Sequence, residues 1–256
     1  MRAFIAFFKK ELLESLRSGK LMILAVIFCA VGIMNPAIAK LTPWLFEMLS
    51  EELAESGIIV GATQVDALTS WTQFFKNIPI AFIAFIFIYG SVFIKEYDSQ
   101  TLVLILTKGL ARYKVVLAKY SVMLLVWSAG YWLCFGITYL YNDFYWDNSI
   151  ATGLMPAVLN WWLFGVFVVS LVVLFSVLMS TYGNVLLCTG GVIFASYMLG
   201  LLPKVAKYLP TSLMSSGALL IGAEEADKYV FAIIVSVLFS LISVALSIPI
   251  LNKKQI

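Results

Sequence analysis

Apolar residues run along this chain in six long blocks, with polar residues gathered between them. A bilayer hydrocarbon core of about 30 Å asks for about twenty apolar residues rising 1.5 Å each. That template predicts membrane-spanning helices over residues 21–41, 77–94, 115–141, 154–179, 185–202 and 229–251. The fold class expected is an all-α membrane protein, a single transmembrane domain over 1–256. The fourth and fifth blocks are separated only by Ser180-Thr181-Tyr182-Gly183-Asn184, where Gly183 and Asn184 supply a turn without any charge.

The segments between blocks carry patterns of their own. Over residues 1–20, Phe4, Phe8, Leu12 and Leu16, with Ile5 and Leu13, fall on one helical arc, and Lys10, Glu11, Glu14 and Arg17 fall opposite. This spacing predicts an interfacial helix that ends at the bend Ser18-Gly19-Lys20. In the external segment 42–76, Thr42-Pro43 is expected to open a short helix with Leu45, Leu49 and Leu53 in line, Glu51, Glu52 and Glu55 outward, and Gly57 as its stop. The external segment 203–228 joins Leu209-Pro210-Thr211-Ser212 to the apolar run Leu213 to Ile221, too apolar for a free loop, and is expected to dip back toward the membrane. Between the second and third blocks, Asp98 or Ser99 is placed to cap a helix from about Gln100 to Lys108, within 98–109, with Gly109 as its stop. Leu102 to Leu106 make that helix apolar on every side, so the membrane base on one side and a second protein on the other are expected to cover it.

Composition sharpens this reading. The chain is 62% hydrophobic and 12% charged, far from the roughly 25% charge of a soluble domain. The amphipathic stretch ahead of the first block, with no small-residue cleavage site after it, argues against a secretory signal. Charge also predicts orientation. Arg2, Lys9, Lys10, Arg17, Lys20, Lys95, Lys108, Arg112, Lys114, Lys119, Lys253 and Lys254 fall on one side, against the acids Glu11, Glu14, Glu96 and Asp98. The other side holds Lys40, Lys76, Lys204, Lys207 and Lys228 among twice as many acids, including Glu224, Glu225 and Asp227. The positive-inside rule then places both termini in the cytoplasm of a bacterial-type cell membrane.

The chain has no His, and its Cys29, Cys134 and Cys188 all lie in apolar blocks, so neither a disulfide framework nor a zinc site is expected. Lys119 and Lys40, near the ends of their spans, are read as snorkelling to the interface, leaving no ionisable group at mid-depth for a proton relay or an intramembrane protease. There is no G-x-x-x-x-G-K-[ST] loop. No enzyme activity, cofactor or nucleic-acid partner is expected of this chain; its energy must come from another protein.

At the segment after the second block the chain resembles the permease subunits of type-2 ATP-binding-cassette exporters. Their loose signature is an acid, Gly-Thr, a leucine-rich stretch, Pro, Arg, and a Lys opening the third span. Glu96, Thr101, Leu102, Leu104, Leu106, Arg112 and Lys119 match it, with Gln100 in place of the Gly and Lys108-Gly109 where Pro is common. The resemblance implies an N-terminal elbow helix, six spans, a cytoplasmic coupling helix between the second and third, and re-entrant helices before the sixth. It also implies two permease copies, alike or different, and separate ATPase subunits that bind ATP and Mg and dock on the coupling helices. Glu96 and Arg112 would then steer or lock the partner's groove, and the leucines would anchor it.

A path between two copies would draw on Asn35, Tyr131, Trp132, Asn160 and Trp161, with Ser128, Thr138 and Trp162 nearby. Uncharged aromatic walls suit amphipathic cargo, with peptides of the bacteriocin or toxin kind as the first reading and lipids or drugs as the second. A non-transporting scaffold or immunity protein that anchors an ATPase is the alternative outside transport. Gly190-Gly191 reads either as a packing notch or as the seam between copies.

Overall fold

The computed structural model describes residues 2–48, 65–107 and 109–254, the side chains of 45–47, 104 and 105 excepted. The described residues form helices joined by turns, without strands, and six helices are long and apolar enough to cross a membrane. In chain order the helices are α1 (Arg2–Arg17), α2 (Lys20–Met48), α3 (Ala67–Tyr89), the short α4 (Ile94–Asp98) and α5 (Thr101–Thr107), then α6 (Arg112–Tyr145), α7 (Leu154–Leu178), α8 (Tyr182–Gly200), the single turn α9 (Pro203–Ala206), and α10 (Val230–Lys253), the six spanning ones being α2, α3, α6, α7, α8 and α10. A 3-10 run over Pro210–Ile221 lies between α9 and α10.

Helix ends follow local chemistry. Asp66 caps α3, its Oδ1 accepting from the Thr69 amide at 2.9 Å, a bond that satisfies one of the free amides of the first turn. The second span therefore starts ten residues ahead of the apolar block, at Ala67. Gly19 turns the chain from α1 into α2 at φ +76°. The expectation that Thr42-Pro43 opens a new helix is corrected: α2 continues through both to Met48. Pro43 removes one amide from the ladder, but α2 is already several turns long and Thr42 folds its hydroxyl back on the Ile38 carbonyl at 2.7 Å. Leu49, Leu53, Glu51, Glu52, Glu55 and Gly57 lie outside the described residues.

α7 is the axis of the bundle. It packs along α10 and against the Pro210–Ile221 run, α6 and α8, and 72% of its most apolar stretch is buried, against 11% for α8. Bulk at its centre is accommodated by Gly165, whose missing side chain leaves the space taken by the Trp127 indole. Around Trp127, the rings of Phe28, Phe82, Phe85, Tyr131 and Trp161 meet at centroid distances of 4.6–6.5 Å. Tilted and edge-on contacts of this kind add to simple area burial.

Inside an apolar bundle each backbone break needs a local remedy. Pro36 lacks the amide that the Gly32 carbonyl would otherwise accept from. The Thr138 hydroxyl donates to that carbonyl at 3.0 Å, accepts from Asn35 Nδ2 at 3.1 Å, and Asn35 Oδ1 in turn accepts from Asn77 Nδ2 at 3.0 Å. A proline-freed carbonyl is thus the root of a polar clasp joining α2, α6 and α3.

Candidate functional site

Between the second and third spans the chain makes two short helices in place of one long extension. α4 ends where Ser99 and Gln100 turn the backbone; Gln100 has φ +54°, the one non-glycine residue with positive φ among the described residues. It occupies the place where the resemblance puts a glycine, the residue that takes this conformation without cost. Ser99 Oγ donates to the Lys95 carbonyl at 2.8 Å and lies 2.9 Å from Thr101 Oγ1, tying the turn to the first residue of α5. Gly109, at φ +83°, donates its amide to the Leu106 carbonyl at 2.9 Å and ends the helix.

α5 is thus seven residues long. Leu102 is fully buried against the bundle, Thr101 and Leu106 are half-buried, and the side chain of Leu104 lies outside the described residues. The outward surface nearby is made by Thr107, Gly109 and Tyr113. Beside α4, an open hollow of about 620 Å³ is lined by Phe87, Ser91, Ile94, Lys95, Asp98, Ser99 and Tyr182.

Beneath α4 sits a buried cluster of charge. Lys119, 2% exposed, lies 2.8 Å from Glu11 and 3.1 Å from Glu96, and both carboxylates are themselves buried. Lys10 completes the cluster at 2.8 Å from Glu11, 3.1 Å from Glu96 and 2.9 Å from Glu14, while Lys95 reaches Glu14 at 3.3 Å. The Phe93 and Phe7 rings flank the Lys119 ammonium at 5.4 and 5.8 Å. The expectation that Lys119 snorkels is therefore corrected: enclosed by α1 and α4, it cannot reach the interface, and two carboxylates take the place of water. Lys40, by contrast, is exposed, 3.7 Å over the Tyr145 ring.

The same cluster revises the face that α1 turns inward. Phe7, Glu11 and Ser15, each four residues apart, are its buried stripe, and Ile5, Leu13 and Leu16 of the predicted apolar arc are exposed. Glu11 thus moves from the polar exterior to the centre of the site. Burial alone would raise the Glu11 carboxyl, but Lys119 and Lys10 outweigh it and hold it below the usual carboxylate value. Burial likewise opposes charge at Lys10 and at Glu14. Contacts with Glu11, Glu14 and Glu96 raise the Lys10 ammonium, and Lys10 with Lys95 lower Glu14. The adjoining cavity between Glu11, Glu96, Lys119 and Tyr89 holds about 30 Å³, too little for any cargo.

Two more cations lock this end. Arg112 donates through Nη1 to the carbonyls of Leu251, Asn252 (3.2 Å) and Lys254 (2.9 Å), closing the end of α10. Lys254 Nζ donates to the carbonyls of Val177 and Met179 at 2.9 and 3.1 Å, closing α7, and sits 4.1 Å over the Tyr97 ring. Cations at helix C-termini satisfy free carbonyls and oppose the negative end of the helix dipole. Glu96 and Arg112, expected to face a partner, are engaged within the chain. Sequence reasoning missed Glu11, Lys10 and Lys254. The four-residue step from Phe7 to Glu11 to Ser15 was the available signal, since a lysine inside a span calls for a nearby carboxylate.

The residues expected along a path are mostly packed. Asn35 belongs to the polar clasp, the Tyr131 hydroxyl donates to the Val158 carbonyl at 2.7 Å, and Trp161 is 1% exposed. Asn160 is buried, and Trp132 is half-buried with its ring 5.4 Å from Phe135. Nearby, Trp162 Nε1 donates to Ser128 Oγ at 3.0 Å.

Comparison with known proteins matches residues 5–215, well over half of the chain, to the family described as ABC-2 family transporter protein. The chain is also similar to an uncharacterized transmembrane protein, YxlG, of Bacillus subtilis (strain 168), at 21% identity over 248 residues covering 93% of each chain. No solved structure matches.

Proposed function

The chain belongs to the ABC-2 family of transporter proteins, and from that membership we propose that it is the permease subunit of an ATP-driven exporter, with α5 as the element that receives motion from a partner ATPase. The observation that carries this reading is the way α4 and α5 are mounted. Their base is pinned through Glu96 to Lys119 of the third span and Lys10 of α1. Through Arg112 and Lys254, the adjoining turn is tied to the ends of α10 and α7. A push on α5 is therefore delivered to four long elements at once rather than absorbed in a loop. ATP and Mg belong to the ATPase subunit, which docks over Thr107, Gly109, Tyr113 and the hollow beside α4. Both termini then lie on the cytoplasmic side.

The path forms between two copies. Of the six spanning helices α8 has the least of its surface covered, and Gly190 and Gly191 on it have open space where a side chain would stand, which favours the seam over a notch within the chain. The cargo is an amphipathic peptide leaving the cytoplasm, a reading that rests on the aromatic, uncharged stretch 120–142 of α6 and on the uncharged α7.

The test is co-purification of the tagged chain with the ATPase subunit encoded beside it, followed by ATP-dependent transport in vesicles. Wild type should retain the ATPase, and a Leu106→Glu, Tyr113→Glu variant that stays monodisperse should lose it. Retention of the ATPase by that variant overturns the docking site. Uptake of lipid or drug analogues in place of peptides would overturn the peptide cargo, and ATPase binding without uptake of any of these would favour the scaffold.

A further inference from the structure

The outer surface of α7 carries a cleft that the transport reading does not use. It holds about 370 Å³ and is walled by Phe167 and Leu171 of α7, Val192 of α8, and Val235, Phe239 and Leu246 of α10. It exists because α8 and α10 both pack on α7 while making little contact with each other. Tyr208, Leu209 and Pro210 form one end, at the chain reversal after α9.

We propose that this cleft binds one tail of an anionic phospholipid, with the headgroup phosphate against Lys204 and Lys207. Three observations single out that occupant. Along α10 the cleft runs from Val235 to Leu246, which at 1.5 Å per residue is roughly 16 Å. One leaflet of the hydrocarbon core is about 15 Å deep, half of about 30 Å, so the cleft spans a single tail's depth and stops. Its walls are apolar over that length, with Ser196 and Ser243 as the polar exceptions. Charge stands only at the headgroup end. Lys207 Nζ lies 4.8 Å over the Tyr208 ring and 5.6 Å over the Phe231 ring, and Lys204 is exposed one turn earlier. Glu224, in the segment ahead of α10, is engaged by Lys228 and by the Tyr229 hydroxyl. A tyrosine and two lysines at the level where tail meets headgroup match a phosphate better than a zwitterion's outer ammonium.

The site is independent of any cargo or ATPase, so it is tested without either. The purified chain is placed in phosphatidylcholine vesicles doped with a phosphatidylglycerol that carries a photoreactive diazirine in its tail. Adducts are then mapped by mass spectrometry. They are expected on the cleft-lining Phe167, Leu171, Leu174, Val235, Phe239 and Leu246, and unlabelled phosphatidylglycerol should compete while phosphatidylcholine with the same tails does not. Lys204→Ala with Lys207→Ala, both on the surface, should weaken that competition by about 25-fold, about five-fold per lysine. Ser243→Trp should fill the cleft and remove the adducts. Adducts spread evenly over Val237, Leu238 and Leu241, exposed and outside the cleft, would overturn the proposal. So would equal competition by phosphatidylcholine, or cross-links between two copies in place of lipid adducts.

Discussion

Removing Lys119 should be the most damaging single polar change in this chain. Its ammonium is 2% exposed and pairs with two carboxylates, Glu11 and Glu96, that are 7% and 5% exposed. Lys119→Met keeps most of the volume but leaves two buried negative charges facing each other, with Lys10 as their remaining counter-ion. Breaking one partner out of a buried pair costs about 3–5 kcal/mol, which for a chain of this size corresponds to a fall in Tm of about 6–20 °C. Lys10→Met should cost about 1 kcal/mol or less, because the Lys10 side chain is 42% exposed and solvent screens its pairs. The decisive variant is Lys119→Met with Glu11→Gln. It removes one charge of each sign, leaves Lys10 with Glu96, and should be less destabilised than Lys119→Met alone. With Glu11→Gln alone completing the double-mutant cycle, the departure from additivity should be a coupling energy of about 1–3 kcal/mol. Thermal unfolding in detergent, followed by loss of the monodisperse chromatographic peak, reads all of these chains. If Lys119→Met unfolds within about 2 °C of wild type, or if the two changes simply add, the cluster does not hold α1 and α4 to the third span.

Other expectations follow from the same geometry. Gln100→Gly should raise stability by up to about 1 kcal/mol, and Gln100→Ile should lower it by at least as much, since a β-branched residue resists positive φ; the unfolding midpoint decides. Arg112→Ala should free the end of α10 at a cost of about 1–3 kcal/mol, and Arg112→Lys should restore little, because one ammonium cannot span three carbonyls. Limited proteolysis of the C-terminal residues measures this release. Asn142 is fully buried and neither amide atom finds a hydrogen-bond partner among the described residues. Asn142→Leu should therefore stabilise the chain by about 1–3 kcal/mol, and a loss of stability would reveal a partner the fold alone does not account for. Glu11 and Glu14 lie below their usual 4.5 when folded, so their stabilisation is complete above that pH and lost as pH falls through the lowered values. Lys10 lies above its usual 10.5, so its share is complete below that pH and lost as pH rises through the raised value. The midpoint should be flat between these limits and fall beyond both, and a slope near neutrality would refute the assignment.

Much of this protein was legible from its residue pattern. Long apolar blocks can satisfy their backbone in a bilayer only as helices, so six spanning helices follow from composition and length. Turn chemistry is equally local: Gly19 and Gly109 stop helices where their sequence neighbourhood says they should. The matches from Glu96 to Lys119 carried the family resemblance for the same reason, being a short run of consecutive sequence. Tertiary structure alone decided what those residues face. Whether Glu11 of α1 meets water or Lys119, more than a hundred residues away, depends on how α1 lies across α6. Whether Arg112 waits for a partner or closes α10 depends on where the chain's far end returns. Helical periodicity orders side chains around one axis, but which side of that axis is interior is set by the neighbouring helices. In an all-apolar bundle it is polar contacts, proline-freed carbonyls and missing side chains that choose those neighbours, since apolar surface is satisfied by lipid and protein alike.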